Sequence, residues 1–297
     1  MEKAAKMSSI PEVIHHEILL RSPVKLLLVC KSVCKNWYAL ISTSDFVKTH
    51  ITIQEKKPNL MLEGIVRRSA NRMPYSIAYD SLVSSSIVVE DYQIDAIEMC
   101  YPFKSLGYKT VQLLGSSNGL ICMTLVDFDH FKNLFCLWNP ATREYKKIPE
   151  LTIEFKDCDF QFHSFGYDRK TDDYKLAIGL QALGSNVYTQ VQLYTLSSDS
   201  WKTGKTIPYR FPYCQSSGVI FNGDLHWLPL GQDNYVLLSL DISDETFKEM
   251  QLPIEVLKEN MNRYMFLGVL EGCLCVIVSS VVNDRFEVWE MLDYGVR

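Results

Sequence analysis

Asp127-Phe128-Asp129-His130 sets two carboxylates and an imidazole within four residues, donor types that suit a divalent metal. The cluster stands between two strand-like runs with no second donor group beside it, which favours a solvated loop. His226 precedes Trp227 in an alternating run, where an imidazole serves as a structural group or lines a pocket. The charge run Asp168-Arg169-Lys170-Thr171-Asp172-Asp173 has the pattern of an exposed hairpin turn. GxSxG, P-loop and HExxH motifs do not occur. The nine cysteines are odd in number and contain no CxxC pair, so a disulfide framework and a Cys-rich zinc module are both disfavoured. Small buried hydrophobes is the expected role for them. These residues predict no catalytic group, metal or cofactor.

The elements that must position side chains belong to an ordinary globular chain of 297 residues, 47% apolar and 22% charged. No run approaches the roughly 18–20 apolar residues that span a bilayer. Glu12, His15, His16 and Glu17 interrupt any secretory signal. The expectation is a soluble protein without membrane contact, cytoplasmic and/or nuclear. The net charge of −5 is uneven: residues 1–60 hold nine Lys/Arg against five Asp/Glu, residues 61–297 hold 21 against 30. A basic and an acidic module suggest different partners, and the acidic one argues against nucleic acid.

Residues 8–53 read as short helices. Ser8 or Ser9 is expected to cap the first, with Pro11 near its first turn, Ile14 and Ile18 with Leu19 as its apolar stripe, and Glu12, His15 and His16 on the polar side. Ser22 is expected to cap a second helix with Pro23 in its first position and Val24, Leu27 and Leu28 as stripe. Val33, Trp37, Leu40 and Ile41 recur at helical spacing in a third, and Ser44-Asp45 opens a further turn carrying Phe46, Val47 and Ile51. Helices this short need one another. A three-helix cluster buries one layer, leaving Leu19, Leu20, Leu26 and Val29 as surplus apolar surface. That surface suits a docking site, or a cap packed on the chain's own C-terminal part.

From Pro58 onward, short Val/Ile/Tyr/Phe-rich runs alternate with turn signals, an all-β pattern. Asn118-Gly119, Asn222-Gly223 and Glu271-Gly272 each lead a strand, at separations near two periods and one period of about 50 residues. Polar turns run into an aromatic and a Lys at Asn139-Pro140…Tyr145-Lys146, Asp199-Ser200-Trp201-Lys202 and Asp241…Phe247-Lys248. This periodicity marks a kelch-like β-propeller.

Two sets of strings resemble a known family. Ile10-Pro11-Glu12, Glu17-Ile18-Leu19-Leu20-Arg21, Pro23-Val24-Lys25 and Val33-Cys34-Lys35-Asn36-Trp37-Tyr38-Ala39-Leu40-Ile41 resemble the F-box of plant F-box proteins. Gly115-Ser116-Ser117-Asn118-Gly119-Leu120-Ile121-Cys122, Trp138-Asn139-Pro140-Ala141-Thr142-Arg143-Glu144-Tyr145, Phe165-Gly166-Tyr167-Asp168 and Asn222-Gly223-Asp224-Leu225-His226-Trp227 resemble the F-box-associated domain. The resemblance implies an α+β multidomain chain: a small three-helix F-box at 1–55, a linker with first strands at 56–104, and a kelch-like propeller at 105–297. It implies a non-catalytic substrate-recognition subunit of an SCF-type (Skp–cullin–F-box) ubiquitin ligase. Its partners would be a Skp-family adaptor, through it a cullin–RING ligase, and an unknown protein substrate. Pro11, Leu19, Leu20, Pro23, Val24, Leu27, Val33, Cys34 and Trp37 fall where the family builds the motif core or adaptor contact. Ser22 stands where the family usually has Leu, and Leu26 where a small polar residue is common. Family members usually continue past Asp293-Tyr294-Gly295-Val296, so an incomplete ring is expected unless residues 60–105 and 270–297 close a smaller one. The alternatives are a truncated member that binds the adaptor but no substrate, and a β-propeller enzyme.

Overall fold

The computed structural model describes residues 11–54, 59–65, 72–78, 97–106, 108, 110–127, 132–151, 158–182, 188–212, 217–232, 234–257, 263–280 and 286–294. Two compact units emerge, residues 1–110 with 139–145, and residues 111–138 with 146–297. Among the described residues no helix is long and apolar enough to cross a membrane.

The first unit opens with four helices, α1 (Glu12–Leu20), α2 (Val24–Cys30), α3 (Lys35–Ile41) and α4 (Ser44–Gln54). The fourth adds to the expected three: Thr43 Oγ1 accepts from Phe46 N at 3.3 Å as its cap, and Phe46 and His50, one turn apart, are both buried. Ser8 and Ser9 lie outside the described residues; Pro11 occupies the N-cap position of α1. α2 starts one residue later than expected, with Pro23 flanking the helix rather than inside it. Ser22 Oγ donates to Ile18 O at 2.8 Å, closing the end of α1. β1 (Asn59–Ile65) then pairs antiparallel with β2 (Arg72–Ala78), and β2 with the short β3 (Ile97–Glu98).

The second unit is a propeller of four sheets in chain order. The first, β4 (Thr110–Ser117), β5 (Leu120–Asp127), β6 (Lys132–Trp138) and β7 (Tyr145–Lys147), continues the sheet of β1 to β3, with Arg72 of β2 pairing parallel to Thr110 of β4. The second is the meander β8 (Cys158–Asp168), β9 (Asp173–Ala182), β10 (Thr189–Thr195) and β11 (Ser200–Ile207). The third holds β12 (Val219–Phe221), β13 (Asp224–Trp227), β14 (Leu237–Asp241) and β15 (Thr246–Met250); a short helix, α5 (Ile254–Leu257), follows. The fourth has three strands among the described residues, β16 (Arg263–Leu270), β17 (Cys273–Ser280) and β18 (Phe286–Met291). β12 lies beside both β8 and β16, so the leading strands of successive sheets are neighbours, as blades are about a propeller's centre.

Strand alternation builds the core. On β9, Leu176, Ile178 and Leu180 join the cluster with Leu114, Cys122 and Phe135 of the first sheet. Ala177, between them, faces the other way into the cluster with Leu225, Trp227 and Leu240 of the third. A third cluster joins Leu228 and Leu237 to Met265, Leu274, Val276 and Val278. Strands covered on both faces read as nearly continuous apolar runs, which is why Leu120–Leu125 is broken only by the buried Thr124. The opposite face of the fourth sheet is open: Tyr264, Phe266 and Val288 are exposed there.

The repeated turns occupy equivalent places. Asn118-Gly119, Asn222-Gly223 and Glu271-Gly272 each join the first and second strands of a sheet, with φ of 51° and 79°, 51° and 88°, and 48° and 82°. These are the left-handed pairs of two-residue hairpins. Asp172, Asp199 and Glu245 close four-residue turns in the same left-handed region. Asp168 and Asp241 each accept two backbone N–H groups of the turn that follows, at 2.8 to 3.4 Å.

Candidate docking surface of the N-terminal helices

The nine residues expected in the motif core or at the partner separate cleanly. Leu19, Leu20 and Leu27 are buried with Cys30, Ile41 and Phe46 in one internal layer. Leu19 and Leu20 are therefore not surplus surface. Trp37 is half-buried at the rim of this layer, with the His15 ring edge-on at 5.8 Å. Pro11, Pro23, Val24, Val33 and Cys34 are exposed. Cys34 has a local role: its Sγ accepts from Trp37 N at 3.5 Å and caps α3.

The stripe read as the core of α1 is the outward one. Ile14 and Ile18 are exposed, Ile18 by 53%, beside Val13 at 73%. The inward side carries His15, His16, Leu19 and Leu20, since the His16 ring meets Phe46 edge-on at 5.7 Å. α1 thus has two apolar faces, and periodicity alone cannot choose between them. α2 repeats the theme: Leu27 and Cys30 point in, while Leu26, Leu28 and Val29 are exposed, Val29 by 60%. The expectation for Leu26 and Val29 matches the structure.

His50 was not singled out by sequence, yet it ties the unit together. Buried on α4, it bonds through Nε2 to Ser22 O at 2.9 Å and stacks on Phe46 at 6.1 Å between ring centroids. The signal available was its one-turn spacing from Phe46. Ser22 is itself buried, so its replacement of the usual Leu removes an apolar group from the interior, not from the outer surface.

The other chemical candidates are structural where they are described. Phe128, Asp129 and His130 lie outside the described residues, and among those described no group of three or more His, Cys, Asp and Glu could hold a metal. His226 is fully buried, with Nε2 at 2.7 Å from Tyr294 Oη, and Tyr294 Oη donates to Asp224 Oδ2 at 3.2 Å. Burial pulls its pKa down to about 4. The run at 168–173 is the expected hairpin turn, exposed at residues 169–172, but the Asp168 and Asp173 that flank it are buried. Asp168 takes an ion pair from buried Lys175 at 3.3 Å and a 2.6 Å hydrogen bond from Ser243 of the next sheet. Burial would raise its carboxyl, but the Ser243 and Thr171 hydroxyls and the backbone N–H groups of Lys170 and Thr171 outweigh it and hold it far below the usual range. Lys175 also donates to Ile242 O at 2.5 Å. Cys30, Cys122, Cys136 and Cys275 are buried free thiols as expected, whereas Cys34 and Cys100 are exposed.

Residues 7–49 match the family model for the F-box domain, and residues 73–294 that for the F-box associated beta propeller domain. The chain is 30% identical over 317 residues to F-box protein CPR1 of Arabidopsis thaliana, covering 98% of this chain and 71% of that protein. It is 29% identical to an F-box/kelch-repeat protein of Arabidopsis thaliana, covering 97% of this chain and 76% of the relative. One buried layer inside a shell of outward apolar residues, four mostly antiparallel sheets behind it in sequence, and both family matches agree. This chain belongs to the plant F-box proteins that carry an F-box associated β-propeller domain.

Proposed function

We propose that the chain is the substrate-recognition subunit of an SCF-type ubiquitin ligase, docking a Skp-family adaptor through its helices and a target protein through its propeller. The observation that carries this is the outward apolar set Val13, Ile14, Ile18, Leu26, Val29 and Val33, on and just beyond the first two helices of a unit whose internal layer is already filled. Pro11, Val24 and Cys34 extend that set as contacts; Leu19, Leu20 and Leu27 support it from beneath. The chain performs no bond chemistry in this reading. It holds a target lysine near the charged carrier of its partners, which raises the effective concentration of the two reactants.

A second reading, binding of adaptor without substrate, is favoured by the open face of the fourth sheet. Reconstitution of the full chain with adaptor, cullin–RING ligase and charged carrier, followed by limited proteolysis of residues 60–297, separates the readings. A receptor co-elutes with the ligase, accepts ubiquitin itself and keeps a resistant β core. Co-elution with a protease-sensitive remainder supports the second reading. Failure to enter the complex overturns both.

A further inference from the structure

Tyr209 and Glu249 form one wall of an open cleft in the β domain, about 620 Å³ in volume. That size lies within the range of about 300–1,000 Å³ typical of binding pockets. Tyr209 follows β11 and is fixed from two sides. Thr189 Oγ1 donates to its carbonyl at 2.8 Å, and its ring packs on the core between the second and third sheets. Its hydroxyl donates to Glu249 Oε2, on β15, at 2.5 Å. The β13–β14 connection, which carries Tyr235, lines the cleft beside them, with Arg210 and Leu230 exchanging both backbone hydrogen bonds. There Gly231 N donates to Asn234 O at 2.9 Å, Val236 N to Pro229 O at 3.0 Å, and Leu230 bridges to both Arg210 and Tyr235. Leu252 and Ile254 line the cleft too, Ile254 with 68% of its surface exposed.

Charge decides what such a cleft accepts. Among the described residues that line it, Glu249 is the one acidic or basic side chain. Burial first, and Glu249 second, push the Tyr209 hydroxyl up to about 12, so it stays a neutral donor. Aromatic and aliphatic walls with one carboxylate match a side chain having an apolar stem and a cationic head. Over residues 61–297 Asp/Glu outnumber Lys/Arg by 30 to 21, which draws basic segments towards the β domain, although Arg210 and Lys248 flank Tyr209 and Glu249 in the chain.

We infer that this cleft receives an arginine or lysine side chain, flanked by apolar residues, from an extended segment of the target protein. The inference rests on the receptor reading above. The stem lies along Tyr209 and Tyr235, and the cationic head meets the oxygen of Glu249 that does not accept from Tyr209. An acidic segment meets repulsion there, and a wholly apolar one desolvates the carboxylate with the Tyr209 hydroxyl as its sole compensation.

The test uses the full chain bound to its adaptor and three fluorescent nonapeptide pools. Their flanks are randomised among Ala, Leu and Phe, and their centres are Arg, Glu or Leu. Anisotropy titration should show the Arg pool binding at least about tenfold more tightly than the others, with about a tenfold loss in Glu249→Gln. Glu290→Gln, on β18 and outside the cleft, should leave it unchanged. Tyr209→Phe should weaken it less than Glu249→Gln does, which guards against a variant that merely unfolds. Equal binding of the three pools, preference for the Leu pool, absence of binding, or an unaffected Glu249→Gln overturns the inference. Adaptor retention is read in the same samples. Retention without peptide selectivity sinks only the cleft, whereas selectivity in a chain that does not hold adaptor sinks the receptor reading.

Discussion

Glu271 sits at φ 48°, a backbone state that Asn118 and Asn222 occupy in the matching turns of other sheets. A side chain longer than Asn gains nothing there and strains against its own carbonyl, whereas Asn tolerates the left-handed region. Glu271→Asn should therefore stabilise the β domain by about 0.5–1 kcal/mol, read as a higher urea midpoint at unchanged m. His163 and His226 supply a second residue-scale expectation. Burial lowers both from the ordinary imidazole value of 6.5 to about 4. The unfolded chain therefore binds protons first as pH falls, and stability is complete above about pH 7 and lost as pH drops from 6.5 towards 4. Each histidine should cost about 2 kcal/mol by pH 5. Denaturant titrations at pH 7 and 5 measure this, and His226→Gln should flatten the slope by about half. Turn residues were legible in the sequence because left-handed backbone restricts composition to Gly, Asn and their few substitutes. His50, His163 and Tyr294 were not, because their partners Ser22, Leu114 and Asp224 lie 28, 49 and 70 residues away.

At the scale of elements, the charge run beginning at Asp168 joins two sheets that sequence reading left separate. Asp168 and Lys175 flank one hairpin, and Ser243 belongs to the β14–β15 turn. Asp168→Asn leaves the buried Lys175 ammonium without its counter-charge and should cost about 3–5 kcal/mol. Lys170→Ala removes only pairs made by an exposed ammonium, to Asp241 and Asp244, and should cost less than about 1 kcal/mol. Equal costs in parallel urea melts would show that the clamp contributes no more than a surface pair. The helices teach the complementary lesson. Short helices with apolar residues on two sides were recognisable as helices, and their inward side was not. The inward side of α1 is decided by Phe46 and Trp37, which lie beyond it in sequence and give His15 and His16 aromatic neighbours. The β repeat was more legible, since one turn chemistry recurs at equivalent positions in three sheets.

Across the whole molecule, the two modules differ in what they leave uncovered. In the propeller the fourth sheet shows an apolar face with Phe266, Val288 and Phe286, the last 71% exposed. Phe266→Ser combined with Val288→Ser should lower binding of a hydrophobic dye while costing the fold less than about 1.5 kcal/mol, since neither side chain is buried. Unchanged dye binding would place the exposed surface elsewhere. The helical unit leaves its uncovered surface on α1 and α2, and the proposed function depends on that surface. Calorimetric titration of the full chain with purified Skp-family adaptor is the direct measurement. The expected result is a one-to-one complex with Kd near or below about 1 μM, weakened at least about tenfold by Ile18→Glu or Val29→Glu with the helical circular dichroism intact. No heat of binding at several times that concentration, or full affinity in both glutamate variants, would contradict it.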